Sequence, residues 1–204
     1  MKFLERTFFR RPRILNELHR LRLIDATSQT NDVELEALAK YARGKRLALE
    51  IGTYQGVSAA RIANALARDG RLYCVDPWPE TPGRPNKCHT ICMRHLQRTR
   101  SLDHIDFLRG TSGEVRDQIP ANLDFAFVDG DHSWSGIETD WHIILEKLAP
   151  GGIVCLHDSF VPEAEEWRRL DSARFFAEVI AKHPDFQLID SVYTLAVVER
   201  KPVL

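Results

Sequence analysis

This 204-residue chain has almost no net charge: 28 lysines and arginines face 29 aspartates and glutamates, for a formal charge of −1. That balance removes any electrostatic reason to expect nucleic acid or an anionic membrane as partner. No apolar run approaches the length of a membrane span, and the N-terminus lacks the apolar core of a signal peptide. A cytoplasmic protein is the plain expectation. The four cysteines (Cys74, Cys88, Cys92 and Cys155) are scattered, and two fall in predicted strands, so a disulfide framework is not expected. Two phosphate-binding signatures are also missing, G-x-G-x-x-G and G-x-x-x-x-G-K-[ST]. No internal repeat or low-complexity tract interrupts the chain.

What is present begins at Leu47-Ala48-Leu49-Glu50-Ile51-Gly52-Thr53-Tyr54-Gln55-Gly56-Val57-Ser58. The short apolar run predicts a strand buried on both faces. Gly52 and Gly56 bracket a turn where a missing Cβ lets a ligand approach the backbone. The helix predicted from Gln55 to Arg68 turns its first amides toward that turn. Glu50, at the strand's end, would repel a diphosphate, so the turn suits a compact zwitterion joined to a nucleoside. Asp76 ends the next predicted strand (Arg71–Val75), where a carboxylate is placed to accept ribose hydroxyl protons.

Strands and helices alternate along the rest of the chain. Helices are predicted over Asp32–Ala42, Lys87–Thr99, Gly136–Leu148 and Ser172–Lys182. Strands are predicted over Arg46–Ile51, His104–Leu108, Leu123–Val128, Ile153–Leu156, Phe186–Asp190 and Tyr193–Glu199. The pattern implies a Rossmann-like, doubly wound α/β fold with a mostly parallel, seven-stranded sheet and an antiparallel C-terminal strand. Residues 1–44 read as an N-terminal helical arm or cap and residues 45–204 as the domain proper. In the arm, Arg6, Arg10, Arg11, Arg13, Arg20 and Arg22 outnumber Glu5 and Glu17. Packing on the domain or across a homodimer is the plainer reading, and membrane-surface or partner docking the other.

Two strand ends carry the chemistry. Asp129-Gly130-Asp131-His132 and His157-Asp158 follow predicted strands, and in parallel α/β sheets such ends converge on one crevice. Carboxylates gathered this way repel one another unless a cation or protons intervene. A divalent metal is the economical solution. Oxygen-rich ligation favours Mg²⁺, Mn²⁺ or Ca²⁺, and an imidazole tolerates Fe²⁺, Zn²⁺ or Ni²⁺. Equally, Asp129 to Ser133 reads as a turn capping the following helix, and His157 as a buried, hydrogen-bonded histidine. The run Cys88-His89-x-x-Cys92-x-x-His95 offers zinc-type ligands only superficially. Residues 77–95 read instead as a substrate-side flap, with Trp78 and Arg84 near the cleft mouth. Trp134 is read either as lining an acceptor pocket or as packing.

The blocks Leu49-Glu50-Ile51-Gly52, Val75-Asp76-Pro77-Trp78 and Phe127-Val128-Asp129-Gly130-Asp131-His132-Ser133-Trp134 resemble class I S-adenosylmethionine-dependent methyltransferases. The chain is most similar to the small O-methyltransferases of the catechol and caffeoyl-CoA type and the metal-dependent sugar O-methyltransferases. The resemblance covers roughly Arg46 to Arg200. It implies that Glu50, Gly52, Tyr54 and Ser58 lie at the methionine end of the cofactor, with Asp76 at the ribose and Ser112 at the adenine. It implies Asp129, His157 and Asp158 as ligands of a divalent cation, Mg²⁺ by this analogy, with Asp129 also bordering the cofactor. His157-Asp158 stands where the catechol type has Asp-Asn, so His157 either ligates or orients Asp158. His132 stands at the position of that type's catalytic lysine and, with Asp129, is the expected catalytic pair. The expected acceptor is a hydroxyl of a small molecule or glycoside. A metal-independent enzyme with His132 as base, and a non-catalytic nucleoside-binding subunit, are the alternative readings.

Overall fold

The structure is a computed structural model that describes residues 12–80, 86–160 and 170–202. Seven strands form one sheet: β1 (Leu47–Ile51), β2 (Arg71–Asp76), β3 (Ile105–Arg109), β4 (Leu123–Val128), β5 (Leu148–Leu156), β6 (Phe186–Val192) and β7 (Leu195–Arg200). Their order is β3-β2-β1-β4-β5-β7-β6. All neighbours pair in parallel except β7, which runs antiparallel to both β5 and β6. The chain winds outward from β1 in one direction and from β4 in the other. That reversal leaves a crevice beyond the carboxyl ends of β1 and β4, where open α/β sheets bind ligands.

Alternation along the strands feeds two cores. On one face Leu49 and Ile51 of β1, Ala126 and Val128 of β4, and Val154 and Leu156 of β5 pack with Trp141 and Ile144 of α6 (Trp134–Lys147) and Phe175 of α7 (Asp171–Glu178). On the other, Ala48, Phe125, Phe127 and Cys155 pack under Leu35 and Leu38 of α2 (Asp32–Ala42), Ile62 of α3 (Val57–Ala65) and Leu96 of α4 (Lys87–Arg98). Side chains of period two on a strand must face opposite sides, so a sheet covered on both faces buries nearly every strand residue. A short helix, α5 (Ser112–Val115), packs on α6 at the cleft. Helix α1 (Pro12–Arg20) packs on α4, with Arg94 Nη1 3.0 Å from Asn16 Oδ1 and Arg98 Nη2 donating to the His19 carbonyl at 3.0 Å. The arginines of residues 1–11 lie outside the described residues, as does Arg84.

The predicted limits of α2 and β4 are those observed. Strand β5 starts earlier than predicted, at Leu148, because Leu148 pairs with Leu123 before a register shift. Tertiary pairing here carries the strand through Ala149-Pro150-Gly151-Gly152, which alone reads as a turn. Helix α3 starts later than predicted, because Gly56 holds the left-handed conformation (φ 78°) at its N-cap. A Cβ on Gly56 would stand 2.7 Å from Cys92 Sγ, so α4 packs directly on this backbone.

Glu50 is fully buried. Its Oε1 has no hydrogen-bond partner, and Cys74 Sγ lies 3.5 Å from Oε2. Burial pushes the carboxyl up to about 7, against the opposing pull of Ser58, Thr53 and Cys74. A raised native pKa means that the folded state holds a proton the unfolded chain has released, so stability falls as pH climbs from the ordinary glutamate value through about 7. The metal-free protein should therefore lose stability relative to Glu50→Gln between pH 5 and pH 8, by up to roughly 3 kcal/mol. Urea unfolding of both proteins at the two pH values checks this. Equal pH dependence in the two would mean that Glu50 is ionised throughout.

Candidate active site

The parallel ladder continues one step past the strand ends. Gly52 N donates to Val75 O at 2.9 Å, Asp129 N to Ile51 O at 2.8 Å, and His157 N to Val128 O at 3.0 Å. These bonds bring the turns after β1, β2, β4 and β5 into register along one rim. Gly52 has φ +92°, and a Cβ there would meet the Asp129 carbonyl oxygen at 2.0 Å. Only glycine lets the turns after β1 and β4 close this tightly.

A cleft of about 920 Å³ opens above the rim. Gly52, Tyr54, Ser58, Asp76, Ser112, Asp129 and His132 all border it. Glu50 does not border it and lies beneath its floor, so of the expected cofactor contacts this one is at most indirect. Asp76 is held by its own neighbours: Tyr54 N donates to Oδ2 at 2.8 Å and Trp78 N to Oδ1 at 2.9 Å. Each oxygen keeps a lone pair for a further donor. Trp78 differs from expectation. It is buried against His89 and Phe107 and donates from Nε1 to the Tyr54 carbonyl at 2.9 Å, so it ties the turns together and does not line the mouth. Trp134 packs edge-on against Phe175 and is likewise a packing residue.

The cleft is also bordered by a residue that no sequence motif singled out. Asp140 of α6 is buried and borders the cleft, and Ser112 Oγ donates to its Oδ1. Burial lifts the Asp140 carboxyl to about 6, with the Ser112 bond pulling the other way. The Ser112 hydroxyl proton is thereby spent, which leaves its backbone amide as the donor that can face a base. Elsewhere on the wall, Thr27 N donates to Gln55 Oε1 at 2.8 Å. This bond draws Thr27, Ser28 and Gln29, ahead of α2, onto the cleft wall.

The acid–imidazole cluster sits past the ends of β4 and β5. His132 Nε2 stands 3.2 Å from Asp129 Oδ1, and His132 Nδ1 stands 3.5 Å from Asp158 Oδ2. His157 Nδ1 lies 3.0 Å from Asp129 Oδ1 but out of line for a hydrogen bond, and 3.6 Å from Asp158 Oδ2. Asp129, His132 and His157 present ligand atoms within 4.8 Å of one another, the sole such set among the described residues. The Cys88, Cys92 and His95 run forms none. Asp131 acts differently from Asp129. It accepts from Ser133 N and Oγ at 3.0 and 2.8 Å, which is the capping turn that opens α6.

Electrostatics bind the cluster together. Burial would push Asp129 up, but the hydrogen bond from His132 and the nearby His157 ring outweigh it and hold the carboxyl below its usual value. The bond to Asp129 raises His132 against the cost of burial. Burial would lower His157, yet Asp129 and Glu34, with Asp158 behind, raise it to about 10. Glu34 of α2 was not anticipated as part of the site. Its Oε2 lies 3.5 Å from His157 Nε2.

Residues 49–159 match the family described as a methyltransferase domain. Tricin synthase 2 of Oryza sativa subsp. japonica is 24% identical over 161 residues, 76% of this chain and 51% of that protein. Tricin synthase 1 of the same plant is 28% identical over 115 residues, 51% of this chain and 42% of that protein. The chain spans about half the length of these curated relatives or less. The solved O-methyltransferase of Bacillus cereus in complex with SAH has a TM-score of 0.69 at 19% identity, covering 93% of this chain and 90% of that one. The O-methyltransferase TomG of Streptomyces achromogenes in complex with SAM, involved in tomaymycin synthesis, has a TM-score of 0.67 at 20% identity, with 93% and 89% covered. At these identities the structural likeness speaks for the fold alone. With more than half of its residues inside the matched segment, and with that fold around it, the chain belongs to the methyltransferase-domain family.

Proposed function

We propose that the protein is an S-adenosylmethionine-dependent O-methyltransferase acting on a hydroxyl of a small molecule or glycoside. The observation that carries this reading is one cleft bordered at one place by Asp76, with two free acceptor lone pairs, and at another by the His132–Asp129 pair. The O-methyltransferase names of the structural neighbours support it. When bound, the cofactor supplies a methyl group on a sulfonium, an electrophile that an oxygen nucleophile displaces in line. Gly52, Tyr54 and Ser58 border its methionine end, and Asp76 accepts the ribose hydroxyls. Ser112 N and Asp140 face the base.

His132 is the proton acceptor. It borders the cleft, whereas His157 is buried behind the rim. As the acceptor hydroxyl gives its proton to the His132 ring, Asp129 and Asp158 stabilise the imidazolium that forms. Holding nucleophile and methyl donor in one cleft supplies much of the remaining acceleration.

A divalent cation fits the residues behind this base. His157 Nδ1 is buried without a hydrogen-bond partner and is aimed at Asp129, with Asp158 alongside. Asp129 and His157 belong to the close donor set and Asp158, 3.6 Å from His157 Nδ1, stands outside it; these three would hold the ion, which would lower the pKa of the acceptor hydroxyl. An imidazole donor moves the preference from the Mg²⁺ of the sequence analogy toward Mn²⁺ or Fe²⁺. One observation favours the metal-independent alternative. A His157 held up to about 10 is itself a buried cation among Asp129, Asp158 and Glu34, and it offsets their charge without a metal.

Three measurements test these roles. Asp76→Ala should weaken S-adenosylmethionine binding by about 2–3 kcal/mol, roughly 30- to 150-fold in Kd by calorimetry. An unchanged Kd would remove Asp76 from the site. Asp129→Asn should abolish metal-stimulated turnover while keeping most cofactor affinity. Full activity in excess chelator, with no metal retained in the purified protein, would leave the metal-independent reading. His132→Ala should lower turnover by about 10²–10⁴-fold with little change in cofactor binding. The wild-type rate should decline on acidification along a limb centred above 6.5, because Asp129 stabilises the charged ring. The variant should lack that limb, and near-normal turnover in a folded variant would assign the proton transfer elsewhere.

A further inference from the structure

Glu34 occupies a place where a helix cap alone would not put a carboxylate. It is the third residue of α2 and forms a capping box, with Asn31 Oδ1 accepting from Glu34 N at 2.9 Å and Glu34 Oε2 accepting from Asn31 N at 3.1 Å. Such a cap works at the surface, and glutamine serves as well as glutamate. Here the side chain is 1% exposed. Its Oε1 accepts from Thr194 N at 3.1 Å and Thr194 Oγ1 at 2.7 Å, and its Oε2 faces His157 Nε2 at 3.5 Å. One carboxylate thus meets donors from three segments: the start of α2, the turn before β7, and the tip of β5. Burying an ionised carboxylate is costly unless several donors meet it, and glutamine has one acceptor oxygen where this site uses two.

We infer that Glu34 is the positioning residue for His157: by accepting the Nε2 proton it leaves the Nδ1 lone pair turned toward Asp129, the tautomer that binds a divalent cation. This rests on the metal-assisted reading above. The geometry already carries half of the arrangement, since His157 Nδ1 is buried, unpartnered and 3.0 Å from Asp129 Oδ1. A carboxylate behind a ligating imidazole fixes its tautomer and raises its basicity, and losing such a partner typically costs 10–100-fold in metal affinity. In Glu34→Gln the single amide oxygen stays with Thr194 and the amide N–H groups face Nε2. The ring then protonates Nδ1 instead and points a donor at the cation.

Mn²⁺ binding, followed by electron paramagnetic resonance of free Mn²⁺ at neutral pH, tests this without any turnover measurement. Glu34→Gln should bind Mn²⁺ about 10–100-fold more weakly than wild type, with circular dichroism confirming the fold. Asn31→Ala removes the same cap but leaves Glu34 opposite His157, so it should destabilise the protein while keeping Mn²⁺ affinity. Equal affinity in wild type and Glu34→Gln would overturn the inference. So would an equal loss in Asn31→Ala, which would mark Glu34 as structural only. If Glu34→Gln does not fold, Glu34→Asp, which withdraws the carboxylate by one methylene, should show a smaller loss in the same direction, and wild-type affinity there would also overturn it. A wild-type protein that binds no Mn²⁺ would defeat the metal reading itself, an outcome distinct from the others.

Discussion

Everything at the cleft depends on three backbone hydrogen bonds that extend the parallel ladder beyond the strands: Gly52 to Val75, Asp129 to Ile51, and His157 to Val128. A ladder fixes neighbouring chains in register, and positions built on strands are held more precisely than positions on free loops. Because β1 and β4 are adjacent across the reversal of winding, the same bonds that complete the sheet set the first turn against the Asp129 carbonyl. The Asp129 carboxylate therefore inherits its position from the core. The phenylalanines of β4 and the leucines of β1 hold the rim as firmly as any polar contact does.

The carboxylates at this rim divide by what faces them. Asp129 sits between two imidazoles and is held ionised, below its usual value. Glu50, separated from it by the width of a turn, has no cationic partner and an orphaned oxygen, and burial carries it up to about 7. Asp140, with one hydroxyl for company, rises to about 6. Desolvation acts on all three, and only the imidazoles beside Asp129 overcome it. Acid–base roles are thus distributed by partners, since the three carboxyl groups are chemically alike.

Much of the fold was legible in the sequence. The helical stretch Asp32 to Ala42 marked α2, and the apolar run Leu123 to Val128 marked β4, because these signals are local. The carboxyl-end clusters were legible as well, since a parallel sheet brings the residues after its strands together whatever the loops do. What escaped depended on distance along the chain. Glu34 reads as one acid in the first turn of a helix until the turn before β7 brings Thr194 beside it, and nothing in the spacing signals that meeting. Trp78 reads as a loop aromatic until the crevice between α4 and β3 takes it in. Asp140 reads as one acid on the polar side of an amphipathic helix. In each case a locally sufficient explanation hid a second partner supplied by the fold.

The backbone of the rim itself carries strain. Tyr54, Trp78 and Asp158 follow three different strands, and all three have positive φ (49°, 32° and 49°) without being glycine. Each such residue costs on the order of 1–3 kcal/mol. For two of them the compensation is visible: the Tyr54 and Trp78 amides both donate to Asp76, and the Trp78 indole returns a bond to the Tyr54 carbonyl. Strain and compensation thus form one closed circuit around Asp76. At Asp158 the circuit is smaller, with Ser172 Oγ donating to its carbonyl at 2.8 Å while its carboxylate stays opposite both imidazoles. The left-handed turn aims the Asp158 side chain back at His132 and His157, whereas an extended residue would carry the chain onward past them. The rim thus accepts backbone strain where it must turn a carboxylate inward.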